Sequence, residues 1–370
     1  MLMYARRLKG VSLSRIRKMF EVKGEDMINL GIGEPDFNIP EDSKKAIMDA
    51  LEEGFTHYTP NKGILELREA IAEKLRVENN INRDPEDIIV TVGASEALYM
   101  CTQALIDKGD EVLIPDPGFL SYDACVKLAE GKPIPVPLEG KNFRMNPERV
   151  ESLIGENTKA IILNSPSNPT GAVMEKDDTK AIAELAEEKN IIIISDEVYE
   201  KIIYEKKHYS PGQFTENAII VNGFSKTYAM TGLRIGYLTA PTEIIEELLK
   251  IHQYNTACAP SISQAAALAA LKGPQGAVDR MVAEFRRRRD LMFKRLDSMG
   301  IECNKPSGAF YMFPHVGDEI KFTNKALKTG VVVVPGSAFG PNGKNHIRFS
   351  YATSYEKIKE AMDRIEKIWM

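Results

Sequence analysis

The chain has 370 residues, with 48 Lys and Arg against 53 Asp and Glu for a net charge of −5; at roughly 100–200 residues per domain it has room for two domains and a buried core. A composition 43% hydrophobic and 27% charged is that of a soluble globular protein, and the mild acidity argues against a nucleic-acid backbone or an anionic membrane as the main partner. The 4 cysteines (Cys101, Cys125, Cys258, Cys303) form no C-x-x-C pair and the 5 histidines no H-x-x-x-H pair, which disfavours metal sites and disulfide scaffolds.

In chain order, the stretch from Met1 to Phe20 carries scattered arginines and no continuous apolar segment, so it does not read as a signal peptide. No apolar run approaches the length of a membrane span. With reduced thiols, the cytoplasm is the expected location. Gly31-Ile32-Gly33 runs into Glu34-Pro35, which cannot open a dinucleotide-binding helix, and no G-x-x-x-x-G-K-[ST] is present. Both nucleotide readings fail. After Gly63, Leu67, Ile71 and Leu75 recur four apart on one face of a helix.

Short β-rich runs follow at 88–92, 111–114, 160–163, 191–195, 218–221 and 235–239, separated by amphipathic stretches such as the one carrying Ile182, Leu185 and Ala186. That alternation predicts an α/β fold, a mostly parallel sheet with helices on both faces, and ligands beyond the carboxyl ends of its strands. Helices are expected at 242–254, 261–271 and 275–299. Strands at 309–313, 331–334 and 347–350 and a closing helix from Ser354 come after them. A large α/β domain at 41–275 is therefore expected beside a smaller α+β domain built from 1–40 and 276–370. The arginine run at 286–289 reads as a solvated or ion-paired helix face.

Candidate chemistry gathers at strand ends. Thr91-Val92-Gly93-Ala94-Ser95-Glu96 is a strand, a small-residue turn and a helix start, whose free N–H groups and Ser95 hydroxyl suit an anion; equally, Ser95 simply begins a helix. Asn164-Ser165-Pro166-Ser167-Asn168-Pro169-Thr170-Gly171 follows one strand, and Ser195-Asp196-Glu197-Val198-Tyr199 ends the next. Gly223-Phe224-Ser225-Lys226-Thr227-Tyr228-Ala229-Met230-Thr231-Gly232-Leu233-Arg234-Ile235-Gly236 follows the third. Each part has an ordinary reading as a cap, a turn or a surface lysine. In a parallel sheet these ends converge, so an amide, a carboxylate, a phenol, an amine and a guanidinium can face one ligand.

The last of these segments resembles the lysine motif of class I aminotransferases, the fold type I enzymes that use pyridoxal 5′-phosphate. The resemblance runs from Leu30-Gly31-Ile32-Gly33-Glu34-Pro35-Asp36-Phe37 to His346-Ile347-Arg348-Phe349-Ser350-Tyr351-Ala352. His57-Tyr58-Thr59-Pro60-Asn61-Lys62-Gly63 and Val334-Pro335-Gly336-Ser337-Ala338-Phe339-Gly340 bring it near the archaeal aromatic and aspartate aminotransferases. It implies a seven-stranded, mostly parallel sheet. It also implies that Lys226 holds the cofactor through an imine and moves a proton, that Asp196 pairs with the pyridine nitrogen, and that Asn168 and Tyr199 bond the phenolic oxygen. Phe119 would stack on the ring; Arg234, Ser95 and the Gly93–Ala94 backbone would hold the phosphate. Tyr58 would reach that phosphate from a second subunit, which implies a homodimer with shared sites. Arg348, assisted by the Gly33 N–H, would bind the substrate α-carboxylate; the apolar neighbours Ile32 and Tyr311 suit the side-chain pocket and equally suit the core. Many relatives carry serine where Gly223 stands, so one phosphate hydroxyl is missing here.

By the same resemblance the expected activity is ping-pong transfer of an amino group from an L-amino acid to a 2-oxo acid, 2-oxoglutarate being the expected acceptor. No arginine occurs between Ile235 and Asp279, where aspartate-selective relatives often place one; His252-Gln253-Tyr254-Asn255-Thr256-Ala257-Cys258 offers polar and aromatic groups instead. Aromatic or broad specificity is therefore favoured. An aspartate aminotransferase and a carbon–sulfur β-lyase on the same fold are the alternatives. A non-catalytic regulatory module is disfavoured, since Lys226, Asp196 and Arg348 are all present and no DNA-binding helix pair is recognisable.

Overall fold

The computed structural model describes residues 5–13, 24 and 26–369. Those parts of the expected N-terminal arm at 1–4, 14–23 and 25 lie outside the described residues. After a short strand β1 (Ile28–Asn29), seven strands build one sheet: β2 (Ile88–Thr91), β3 (Glu111–Asp116), β4 (Lys132–Pro137), β5 (Thr158–Asn164), β6 (Ile192–Asp196), β7 (Ala218–Gly223) and β8 (Gly236–Thr239). Their order is β2-β8-β7-β6-β5-β3-β4. Neighbours are parallel except at β8, which runs antiparallel to both β2 and β7. This is the expected α/β sheet, mostly parallel.

Alternation within each strand separates two apolar layers. Ile161 and Leu163 of β5, Ile193 of β6 and Ile220 of β7 face one core with Leu67, Ile71, Leu75 and Ile182 from the covering helices. Ala160 and Ile162, Ile194, and Ile219 and Val221 face the other, against Ala97, Cys101 and Val126. Leu67, Ile71 and Leu75 lie on helix Leu65–Asn79 and are fully buried, as their spacing predicts. Each such aliphatic side chain contributes about 1.5–3 kcal/mol by leaving water.

The strand β4 is missing from the sequence reading because Pro133, Pro135 and Pro137 argue against a strand. Among the described residues it pairs only with β3, at the edge of the sheet, where prolines without N–H donors are tolerated.

A third core lies beside the sheet. It joins Leu30 and Tyr199 to Phe285, Met292 and Leu296 of helix Gly276–Ser298, and to Phe310, Phe349 and Met362. Here β9 (Tyr311–Met312), β10 (Val331–Val332), β11 (Val334–Pro335) and β12 (Ile347–Ser350) form two small sheets: β1 pairs with β10, and β12 lies between β11 and β9. Two expectations change. The run 331–334 is divided, since Val331–Val332 pairs with β1 whereas Val334–Pro335 pairs with β12. The run 309–313 shrinks to β9 because Ala309 has φ 53 and donates its N–H to the Ile202 carbonyl instead. The arginine run is ion-paired rather than merely solvated. Arg289 is fully buried, bonded to Glu205 and Asp290 and stacked over Tyr204, while Arg288 pairs with Glu284 and Asp36. No helix among the described residues is long and apolar enough to cross a membrane.

Candidate active site

The carboxyl ends of β5, β6 and β7 and the start of helix Gly93–Leu105, which follows β2, open into a cleft of about 760 Å³, the size of a small-molecule site. Ten residues singled out from the sequence line it: Gly33, Ala94, Ser95, Phe119, Asn168, Asp196, Tyr199, Lys226, Arg234 and Arg348. Gly93 lies against Arg234: a Cβ on Gly93, which has φ 74, would sit 2.8 Å from the Arg234 Nη2. Tyr311 and Gly223 also face the cleft, but Ile32 is not part of its lining. Tyr58 is 89% exposed on this chain and lies away from the chain's own cleft. Nor does His252 reach the cleft, being fully buried behind it.

Lys226 sits in the single helical turn Phe224–Thr227 directly after β7, and its Nζ donates to the Gly33 carbonyl at 2.7 Å. Burial, with Arg234 and Arg348 nearby, outweighs Glu34 and lowers its pKa to about 8. A share of its amine is thus unprotonated near neutrality. Asp196, at the end of β6, accepts from the Tyr122 hydroxyl at 2.8 Å and from the Val198 N–H at 3.4 Å. Burial raises it to about 6 against those two bonds. Its backbone carbonyl accepts from Asn164 Nδ2 at 3.0 Å, and Asn164 Oδ1 in turn accepts the Asn168 N–H at 2.8 Å. One asparagine therefore ties the ends of β5 and β6 together.

Arg348, on β12, is buried with its guanidinium 4.4 Å from the Tyr311 ring and 4.8 Å from the Phe339 ring. It donates to Asn168 Oδ1 at 2.8 Å and to the Gly31 carbonyl at 2.6 Å, and its Nε has no partner among the described residues. Tyr199 and Tyr311 share a hydroxyl hydrogen bond of 2.8 Å. Gly33 has to be glycine at this point, because any Cβ would collide with the Tyr311 hydroxyl. Arg234 takes a left-handed backbone (φ 51) and donates to the Thr231 carbonyl at 2.9 Å, with no carboxylate bound to it among the described residues. A Cβ at Gly223 would lie 3.3 Å from Gly236 Cα and from the Ile235 carbonyl oxygen, so β7 and β8 approach closely at this point.

Behind the cleft the Asp196–Tyr199 segment is braced. Glu197, fully buried, accepts from Ser195 and Ser210 hydroxyls at 2.8 and 2.6 Å and faces His208 Nε2 at 3.0 Å. Glu200 is bonded to Lys74 and Asn79; burial alone would raise it, but the Lys74 charge and these bonds pull it to about 2. Sequence reasoning missed Tyr122, Asn164, Glu197 and Glu200 as supports. Tyr122 had a local signal, one helical turn after Phe119; the others are placed only by contacts across the fold.

A phosphorylated aromatic aldehyde fits these groups. Among the described residues Asp196 accepts from neutral donors and from no cation, Arg234 and the Gly93–Ser95 turn offer an anion cradle, and the Arg348 Nε is a donor without a partner, free for a carboxylate. Comparison with known proteins gives the same chemistry. The family described as aminotransferase class I and II matches residues 25–365. A probable aspartate aminotransferase of Methanocaldococcus jannaschii is 52% identical, covering 99% of this chain and 100% of its own length. The aromatic-amino-acid aminotransferase 2 of Thermococcus litoralis is 47% identical over 98% of this chain and 97% of its own. Among solved structures, an aspartate aminotransferase from Thermus thermophilus with maleate superposes with TM-score 0.96 at 40% identity, all of both chains being covered.

Proposed function

Because this chain belongs to the class I and II aminotransferase family, and is therefore an aminotransferase that uses pyridoxal phosphate, we propose that it takes the amino group of an aromatic L-amino acid, or of a broader set, and delivers it to a 2-oxo acid such as 2-oxoglutarate. The observation that carries this reading is the meeting of Lys226, Asp196, Arg234 and Arg348 in one cleft. When bound, the cofactor supplies an aldehyde that exchanges amines and a ring that accepts electrons from the substrate Cα.

The protein's own groups do the rest. Lys226, its amine partly unprotonated, would hold the cofactor's aldehyde carbon and, when free of it, would carry a proton between the substrate Cα and that carbon. Asp196 would bond the ring nitrogen and keep its proton in place, while Asn168 and Tyr199 would bond the phenolic oxygen. Phe119 would pack against the ring. Arg234, Ser95 and the Gly93–Ala94 N–H groups would hold the phosphate. Arg348 and the Gly33 N–H hold the α-carboxylate, which aims the Cα–H bond.

With those assignments each cation lining the cleft among the described residues is used, and none is left for a distal carboxylate, whereas Tyr199, Tyr311 and Phe119 line the same space. That favours an aromatic side chain. The relatives' descriptions include both aspartate and aromatic enzymes, so aspartate is the second reading. The test is a half-reaction panel: each amino acid is added to holoenzyme and conversion of the cofactor to its amine form is followed. Phenylalanine, tyrosine or tryptophan should react with a higher kcat/KM than aspartate; the reverse order would replace this reading with the second. Release of pyruvate and ammonia with no oxo acid added would point to a lyase.

A homodimer belongs to the proposal. Tyr58 and Tyr254 are 89% and 87% exposed, apolar rings that a second copy would cover, and Tyr58 would then reach the partner's phosphate. Mixing Tyr58→Ala and Lys226→Ala proteins should restore activity, because half of the exchanged dimers would carry one intact site; no recovery after verified subunit exchange contradicts sharing. The domain division near 41 and 275 is proposed from the separation of the third core from the sheet. A cytoplasmic location is proposed from the four free thiols.

A further inference from the structure

Glu96 lies in the first turn of helix Gly93–Leu105, beside the groups assigned to the phosphate, yet its carboxylate faces away from the cleft. One oxygen accepts the Val92 N–H at 2.5 Å. The other meets Thr256 Oγ1 at 2.7 Å, His252 Nδ1 at 3.0 Å and Asn255 Nδ2 at 3.4 Å. Glu96 is 7% exposed and His252 fully buried, the His252 Nε2 having no partner among the described residues. Burying a carboxylate and an imidazole is costly unless they are paired and hydrogen-bonded, as this carboxylate is.

What they hold is the helix start. Val92 occupies the N-cap position and makes no side-chain cap, valine being among the poorest capping residues. Glu96 instead reaches back to the Val92 N–H, as the acid of a capping box does. The bond thereby fixes the turn that carries the N–H groups of Gly93, Ala94 and Ser95, which a helix leaves without internal partners, with Gly93 lying against the Arg234 guanidinium. A bare carboxylate so close would repel a phosphate. Burial works to raise the Glu96 pKa, but the bonds from His252, Val92 and Thr256 more than offset it, so the group stays ionised with its charge engaged.

We propose that Glu96, clamped by His252 and Thr256, is a positioning residue for the cofactor's phosphate, holding the first helical turn in the geometry that binds it. The proposal rests on the reading of that turn as the phosphate site. It also gives a use to the segment from His252 to Cys258, which the sequence suggested for substrate contact: the segment supports the helix from behind.

The test compares pyridoxal 5′-phosphate with pyridoxal, which lacks the phosphate, as ligands of the cofactor-free protein. Glu96→Ala should raise the dissociation constant for pyridoxal phosphate about tenfold, the scale of a lost helix cap, and leave that for pyridoxal unchanged. Glu96→Gln keeps an oxygen for the Val92 N–H and should stay within about threefold of wild type, since a cap acceptor need not be charged. His252→Ala should also weaken the phosphorylated ligand selectively, and it serves if Glu96→Ala does not fold. Equal weakening of both ligands, or a Glu96→Gln protein as impaired as Glu96→Ala, would overturn the role. A wild-type protein with no preference for the phosphorylated ligand would instead sink the phosphate-site reading itself, and this role with it.

Discussion

Lys226→Ala loses transamination by about 10⁴-fold or more, the upper range for removal of a positioned acid–base group, because nucleophile and proton carrier disappear together. Lys226 is the only lysine that lines the cleft among the described residues, so no neighbouring amine takes over. The conservative change Lys226→Arg fails as well. A guanidinium stays protonated at any working pH, whereas burial and two nearby arginines hold the Lys226 amine at about 8. Both variants should still fold, since the Nζ makes its one bond to the Gly33 carbonyl at the surface of the cleft. The measurement is steady-state kinetics on cofactor-saturated protein alongside a thermal unfolding curve. Activity near wild type in either variant would end the assignment.

The second large effect belongs to Asp196, and it has opposite signs for catalysis and for stability. Asp196→Asn keeps the size of the side chain but cannot hold a proton on the ring nitrogen, and about 10²–10³-fold of kcat should be lost, as when one preorganised electrostatic group is removed. In the cofactor-free protein the same change stabilises. Burial raises the carboxyl from 3.8 to about 6, so the folded state prefers the protonated acid. The stability this group contributes is complete below about pH 4 and is lost as the pH rises through about 6. Asparagine removes that loss. Urea midpoints of cofactor-free wild type and variant should therefore coincide near the acid end of this window and diverge in favour of the variant above it. A variant that is less stable at neutral pH, or one with wild-type kcat, would contradict the role.

Much of this site was legible because its chemistry is local in the chain. Asn168, Asp196 and Lys226 each lie within a few residues of a strand end, and a parallel sheet brings such ends together whatever the details of the loops. The same logic located the Gly93–Ser95 turn after β2. What the sequence did not reveal depends on contacts between distant segments. Tyr122 meets Asp196 from 74 residues away and Glu96 meets His252 from 156, and no spacing rule carries such pairs. Arg348 was found through its motif, but its bond to Asn168 and its place between the Tyr311 and Phe339 rings needed the fold.

The errors in reading the fold have local physical causes. Prolines that disqualify a central strand are acceptable at the sheet edge occupied by β4. Four consecutive valines look like one strand, yet Val331–Val332 and Val334–Pro335 serve different sheets.

The central claim is that one amine, Lys226, carries the covalent link to the cofactor. Incubating the purified protein with pyridoxal 5′-phosphate, reducing with borohydride and mapping the peptides by mass spectrometry tests it directly. The expected result is one stoichiometric pyridoxyl-phosphate adduct, on the peptide containing Lys226. A main adduct on another lysine, or none on a protein that turns over amino acids, would contradict it.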